Sequence, residues 1–472
     1  MKILLIKPET VGIFSFTYLV DHEPLEMEYL YTVFTKEGHE AVIYDRRYET
    51  ISLRSKLNKE KPDVVCITGY ITQQKLIYRL CEKIKKYRPE TAVILGGSHV
   101  EINYANFYDS KADYLYHLSG LENQCRLLRF IAKEKETSQN GISNEHVHSY
   151  EGKDGNISLE DIPGICYRKN GEWICNPKII ETPEDLPVPD RTYFYKNRKR
   201  FRYLAFKPLA LVKNSYSCQR NCNFCFCTNR NGGRYACRSV DKLVDEIASL
   251  EVDNIHITDD NFLVNREYLK EFVRLIRERD IHKKYLIYGR ADFIANNEDL
   301  IKELADIGLS LIMVGLEATN DEELDSYNKH VSLHENEECI RILSENHIYC
   351  AGLFIVHQQM KKEDFDKLYE WIASRDIIPT VSVFTPMQGS AMYKDYEDKL
   401  ITKDVTKQDL FHCLIKPEYM SVRKFTFEYY RLSMKLAWKN RRSSLYADND
   451  YFVSVLHIIW VLLIKLRRLF VI

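Results

Sequence analysis

The chain has 472 residues, too many for one ordinary hydrophobic core and enough for two or three domains. Hydrophobic residues at 45% and charged residues at 29% exclude a disordered chain, and a formal net charge of −1 excludes the global basic field of a general nucleic-acid binder. Thirteen cysteines, an odd number and mostly isolated, follow an opening MKILLIKPE that has no secretory apolar region, which argues against a disulfide scaffold and for a reducing cytoplasm.

In chain order, "KILLI" (2–6), "EAVIYD" (40–45), "DVVCITG" (63–69) and "AVILGG" (92–97) are short apolar runs that read as strands. Helical-period stretches, such as Met27 to Lys36 and Thr72 to Tyr87, separate them. That alternation predicts a doubly wound, flavodoxin-like parallel sheet that binds ligands at the carboxyl ends of its strands. The turn Gly96, Gly97, Ser98, His99 stands at one such end, where two glycines let a ligand approach the backbone closely.

A polar stretch from Lys133 to Gly155 reads as a boundary loop. "IPGICYRKNGEWICNP" reads as a hairpin turning at Asn170-Gly171, and "TPEDLPVPDRTYF" as an extended linker. A second series begins at Leu209, with strands expected at 209–214, 254–258, 285–289, 311–315, 349–356 and 380–385. Six strands are too few for the usual eight-stranded barrel, so an open (β/α)6 barrel is expected, followed by a mainly helical region after Pro386. The expected divisions are 1–135, 136–204 (linker with hairpin), 205–395 and 396–472. The last piece ends in "YFVSVLHIIWVLLIKLRRLFVI", too short in its apolar part to span a bilayer. It suits either a helix in the membrane interface or one docked on the protein's own core.

The densest chemistry lies in "SYSCQRNCNFCFCTNR" (215–230). Cys218, Cys222 and Cys225 follow the first strand of the second series. A zinc site would want a fourth ligand and usually paired C-x-x-C units. Three thiolates can instead hold a [4Fe–4S] cluster by three irons and leave the fourth open.

This C-x-x-x-C-x-x-C loop, with Phe224 before its last cysteine, resembles the radical S-adenosylmethionine (radical SAM) superfamily. The resemblance implies that the open iron takes AdoMet, whose reductive cleavage yields a 5′-deoxyadenosyl radical, with electrons from a donor such as a flavodoxin or ferredoxin. It implies AdoMet contacts at Phe224, at Asp259 and Asp260 in "ITDDNF", at Arg290 in "YGRAD", and at Gly315 and Glu317 in "VGLEATN". On chemistry alone the two aspartates suit a helix cap equally well, and Arg290 a surface salt bridge. "FTPMQGSAMY" resembles the family's ending of the sixth strand. His357 stands where many relatives carry a glycine–proline–glycine turn, and Cys227 and Cys237 have no part in the family pattern.

"KILLIKP", "EPLEMEYL", "GGSHV" and "PGICYRKNG…DLPVPDR" resemble the cobalamin-binding subgroup, which implies cobalamin at Gly96, Gly97, Ser98 and His99. No D-x-H-x-x-G is present, so no histidine is assigned as lower axial ligand. The C-terminal half resembles hopanoid C-methylase-like members. Together these imply a cobalamin-dependent C-methyltransferase that acts on an unactivated carbon of a hydrophobic or natural-product substrate, a small molecule or a lipid. It would be cytoplasmic, with peripheral membrane contact through the tail. The alternatives are a radical SAM cyclase, coupling or rearrangement enzyme without methyl transfer, and a non-catalytic cobalamin or redox sensor.

Overall fold

The computed structural model describes residues 1–9, 19–118, 120–139, 149–152, 155–440, 443 and 445. Two large sheets organise these residues. The first contains the parallel strands β1 (Lys2–Lys7), β2 (Glu40–Asp45), β3 (Val64–Ile67), β4 (Ala92–Leu95) and β5 (Tyr114–Tyr116). An antiparallel hairpin of β6 (Ile165–Lys169) and β7 (Glu172–Cys175) extends it. The order is β7-β6-β5-β4-β3-β1-β2. Its parallel part is the flavodoxin-like 2-1-3-4-5, which opens a crevice beyond the carboxyl ends of β1 and β3, where the strand order reverses.

The strands read as unbroken apolar runs because both faces are covered. Ile3 and Leu5 of β1 face a core shared with helices α1 (Leu25–Lys36) and α5 (Gly120–Gln139). Leu4 and Ile6 face the opposite core, beneath α2 (Leu53–Glu60) and α3 (Gln74–Tyr87). The short helix α4 (Ser98–Asn103) begins directly after the glycine turn of β4.

Three sequence expectations need correction. The stretch 133–155 is not simply a loop: α5 continues to Gln139, and Ser149–Gly152 pairs with Gly155–Ser158. Its Lys and Glu residues are good helix formers whose charges suit an exposed face. The hairpin is an edge of the first sheet, because β6 hydrogen-bonds β5, a three-residue strand too short to register as periodic sequence. Asn170 and Gly171 do form its turn, with φ of +54° and +86°. Thirdly, its register sets Cys166 opposite Cys175, their Cα atoms 4.0 Å apart, and the two are disulfide-bonded. Isolated spacing in sequence concealed this cross-strand neighbour pair.

The second sheet has six parallel strands in chain order: β8 (Leu209–Val212), β9 (Asn254–Ile257), β10 (Lys284–Gly289), β11 (Leu309–Glu317), β12 (Tyr349–Val356) and β13 (Ile378–Val383). It is an open barrel whose edge strands are β8 and β13. Alternate residues divide its two sides. Ala210, Val212, Ile255, Ile257, Tyr285 and Ile287 pack outward into the main core. Each aliphatic side chain fully buried there contributes roughly 1.5–3 kcal/mol. The residues between them, including Leu211, His256 and Tyr288, line a cavity on the inner side. The helix Val422–Asn440 closes the end of this domain, with the Phe425 ring edge-on to Phe365 at 5.5 Å.

The two sheets are tied together by polar groups. Val20–Asp21 pairs with Arg202–Tyr203. Arg191, from the proline-rich linker, forms an ion pair with Glu23 at 2.7 Å and donates a hydrogen bond to Glu246 at 2.9 Å. The Glu23 carboxylate also accepts from the backbone N–H of Leu211. Among the described residues no helix is long and apolar enough to cross a membrane. The apolar, basic segment from Tyr451 onward lies outside the described residues.

Candidate active site

The cysteine loop leaves β8 and is framed by a short ribbon, Ser215–Tyr216 against Ala236–Cys237. Its entry is fixed by Asp259, whose carboxylate accepts from the backbone N–H groups of Asn214 (2.9 Å) and Ser215 (2.7 Å) and from the Asn214 side chain (3.0 Å). Asp259 is buried beneath the loop, which raises its carboxyl above the ordinary value against the pull of Lys213 and these donors. Ser217 adopts φ +64° and turns the chain into the cysteines.

Cys222 is buried, while Cys218 and Cys225 are half-buried. The N–H of Cys225 donates to Cys222 O at 3.1 Å, which closes a turn between them. The Phe224 ring stands edge-on to Tyr327, centroids 5.5 Å apart, and anchors the loop rather than lining the cavity. Among the described residues no three His, Cys, Asp or Glu side chains converge as they would on a single ion. A cubane asks for something different, because each thiolate takes its own iron. Cys227 and Cys237 are half-buried beside this loop, Cys237 within the short ribbon opposite Ser215.

Around this loop, Arg290 at the end of β10 places Nη1 3.7 Å from Cys222 Sγ. Its other nitrogens donate to Asp292 (2.9 Å) and to the Lys329 carbonyl (2.6 Å). Glu317, at the end of β11 with φ +61°, is buried and accepts from Lys329 at 2.9 Å. A Cβ on Gly315 would lie 2.3 Å from Glu317 Oε1 and 2.5 Å from Lys329 Nζ, so only glycine admits this ion pair. Asp260 lies 4.0 Å from Arg230, and its Oδ2 is buried with no hydrogen-bond partner among the described residues.

A cavity of about 510 Å3 joins the two sheets. One wall is the crevice of the first sheet, with Thr68, Gly69, Gly96, Gly97 and Ser98. The other is the inner barrel face, with Leu211, Lys213, His256 and Tyr288, and Arg230 at its rim. Gly97 has φ +94°, and a Cβ there would meet Thr68 Oγ1 at 2.5 Å. His99 does not reach the cavity: it is buried against Phe107 and bonded to Gln74 at 2.8 Å, and burial pushes its imidazole down to about 4. Nor does His357, which lies 3.5 Å from Glu323.

Sequence reasoning missed several residues that shape this region. Lys329 sits in a loop remote from its partner. Arg230 ends the quoted cysteine region and Asn231 follows it, but their value depends on Glu101 across the interface, at 3.6 Å and 2.7 Å. A glycine-lined cradle, the unpartnered Asp260 oxygen and a loop of three thiols fit the cofactors this architecture implies.

A flavodoxin-like sheet that faces the mouth of an open six-stranded barrel with a three-cysteine loop defines a two-domain cofactor enzyme. Comparison with known proteins agrees. Residues 215–372 match the radical SAM superfamily model, and residues 13–120 match the B12 binding domain model. Hopanoid C-3 methylase of Methylococcus capsulatus is 23% identical over 83% of this chain and 72% of that protein. The anaerobic magnesium-protoporphyrin IX monomethyl ester cyclase of Rubrivivax gelatinosus is 23% identical over 78% and 64%. Among solved structures, the cobalamin-dependent S-adenosylmethionine radical enzyme OxsB with aqua-cobalamin bound superposes with a TM-score of 0.68 at 14% identity, covering 96% of this chain and 74% of that one. The fold is therefore shared with OxsB. The chain therefore combines a radical SAM domain with a B12-binding domain, and these two domains imply a [4Fe–4S] cluster, AdoMet and cobalamin as its cofactors.

Proposed function

We propose that the protein is a C-methyltransferase that moves a methyl group to an unactivated carbon of a hydrophobic small molecule. The observation that carries this reading is the single cavity lined both by the glycine turn of the first sheet and by the barrel face beside the cysteine loop. When bound, cluster and AdoMet supply the means of breaking a strong C–H bond, and cobalamin supplies the methyl donor.

The chain's own residues supply position and dielectric. Cys218, Cys222 and Cys225 hold the cluster, and Arg290 places positive charge beside Cys222. Gly315 and Glu317 with Lys329 form the surface for AdoMet, and Asp260 offers its unpartnered oxygen. Gly96, Gly97 and Ser98 form the platform for the corrin. Asp259 and Phe224 act through the loop they anchor. Leu25, Met27, Ile94 and Leu211 make much of the cavity apolar, which excludes water from a reactive intermediate and suits a hydrophobic acceptor. Methylase similarity over most of the chain supports the same assignment. A flavodoxin or ferredoxin would deliver electrons, and the tail from Tyr451 would meet the cytoplasmic face of a membrane.

The similarity to a cyclase favours a second reading, radical chemistry without methyl transfer. Product analysis separates the two. With protein holding cluster and cobalamin, AdoMet, reductant and a lipid extract, methyl transfer yields S-adenosylhomocysteine together with 5′-deoxyadenosine. The cyclase reading yields 5′-deoxyadenosine alone.

A further inference from the structure

We propose that His22 and His256 form a binding site for an uncharged hydrogen-bonding group, a carboxamide or a hydroxyl, on a molecule held in the cavity between the sheets. The inference rests on that cavity being the reaction chamber, and it adds the chemistry of what the chamber holds.

His256 is the inward-facing residue of β9, between Ile255 and Ile257, which pack outward. It is 1% exposed, yet among the described residues neither of its ring nitrogens has a hydrogen-bond partner. His22, which follows the Val20–Asp21 strand, lines the same cavity, and its buried Nε2 is also unpartnered. The two rings lie 5.2 Å apart at 60°, and Tyr288 stands 5.8 Å from His256. Three buried polar atoms thus meet at one apolar wall with no partner, in a setting where native proteins pair nearly every such atom. The unmade bonds have a cost that a structural histidine would not carry.

The class of ligand follows from charge. Burial pushes His22 down to about 3, with Lys7 and Arg47 adding to the effect. Burial, with His22 and Lys213 beside it, likewise holds His256 well below the ordinary imidazole value. Both rings are neutral, and each offers one N–H donor and one bare nitrogen acceptor. The cations on this cavity already face carboxylates: Lys7 pairs with Glu26 at 2.7 Å, Arg230 lies 3.6 Å from Glu101, and Lys213 donates to the Thr258 carbonyl at 2.9 Å in the field of the buried Asp259. A plain hydrocarbon would leave the nitrogens unpaired. A carboxamide answers both needs, with a donor and an acceptor on one planar group, and a hydroxyl does so with one oxygen. The corrin ring carries carboxamide side chains, and a polar end of the acceptor substrate is the other source.

The test uses the full-length, cofactor-free protein with 15N-labelled histidine, its ring signals assigned with His22→Phe and His256→Phe. Benzamide and toluene serve as small probes and hydroxocobalamin as the corrin probe. We expect benzamide or hydroxocobalamin to move the ring nitrogens of one or both histidines, toluene to leave them unmoved, and His256→Phe to unfold no earlier than the unaltered protein. An about tenfold weaker hydroxocobalamin affinity in His256→Phe assigns the group to the corrin. An unchanged corrin affinity with a lost benzamide response assigns it to the acceptor. Ring signals indifferent to every probe, or a clear drop in the unfolding midpoint of both variants, would overturn the proposal by making the imidazoles packing elements. Because these readouts need no turnover, they can fail while methyl transfer stands, and the reverse also holds.

Discussion

The backbone N–H of Asn231 donates to Glu101 Oε1 at 2.7 Å. Asn231 belongs to the loop that carries the cysteines, and Glu101 to α4, the helix that starts at the glycine turn of the first sheet. This one carboxylate thus ties the glycine turn of the first sheet to the cysteine loop, and it also lies 3.6 Å from Arg230. Glu101→Ala should leave a half-buried guanidinium and a backbone donor short of partners, at a cost of about 1–3 kcal/mol. The denaturant midpoint would show the loss. Corrin retention through gel filtration should fall with it, whereas iron content should not.

Arg191 offers a sharper stability test. It joins Glu23 and Glu246 in a fully buried setting, so Arg191→Ala should cost about 3–5 kcal/mol, as when one partner of a buried ion pair is removed. Glu28 nearby behaves differently. Burial first, and then the neighbouring Glu23 carboxylate, raise its carboxyl well above the ordinary value, so it is held protonated. Stability from that protonated group is complete below the unfolded value and is lost as pH rises through the folded one. Glu28→Gln mimics the protonated acid. It should change the midpoint by less than about 1 kcal/mol near pH 5 and flatten the loss on the alkaline side. Denaturant titrations across pH would check both.

His99 titrates with the opposite sign. Its imidazole is buried neutral at about 4, below the ordinary 6.5. The stability it contributes is complete above 6.5 and is lost as pH falls toward 4, on the order of 3 kcal/mol for that interval. His99→Gln should remove that part of the acid dependence while leaving hydroxocobalamin affinity intact, since the ring does not line the cavity. Unfolding curves between pH 4 and 7 and a corrin titration are the measurements.

Single cysteine substitutions should divide cleanly. Cys218→Ala, Cys222→Ala and Cys225→Ala should each abolish AdoMet cleavage and the electron paramagnetic signal of a reduced cluster, with far-ultraviolet circular dichroism unchanged. Cys237→Ser should retain both. Iron and sulfide counts on anaerobically prepared protein would decide.

Much of this architecture was legible in the sequence for a physical reason. Strands buried on both faces appear as runs such as KILLI and AVIL, and the three cysteines proposed as cluster ligands are close in sequence because one loop would deliver them all. Pairings across the fold were not legible. Lys329 meets Glu317, and Glu101 meets Arg230 and Asn231, only once separate elements pack. His99 looked like a ligand because it follows two glycines, but the first turn of α4 rotates it toward Gln74. His256 was hidden between the two isoleucines of its strand.

The measurement that bears most directly on the central claim is the corrin and iron content of the full-length protein, expressed with cobalamin supplied, purified without oxygen, and reconstituted with iron and sulfide. We expect close to one cobalamin per chain beside a [4Fe–4S] spectrum, with the corrin selectively depleted in Gly97→Val, where a side chain would strike Thr68. A full cluster with no cobalamin in the unaltered protein would contradict cobalamin-dependent methyl transfer and leave the radical cyclase reading in its place.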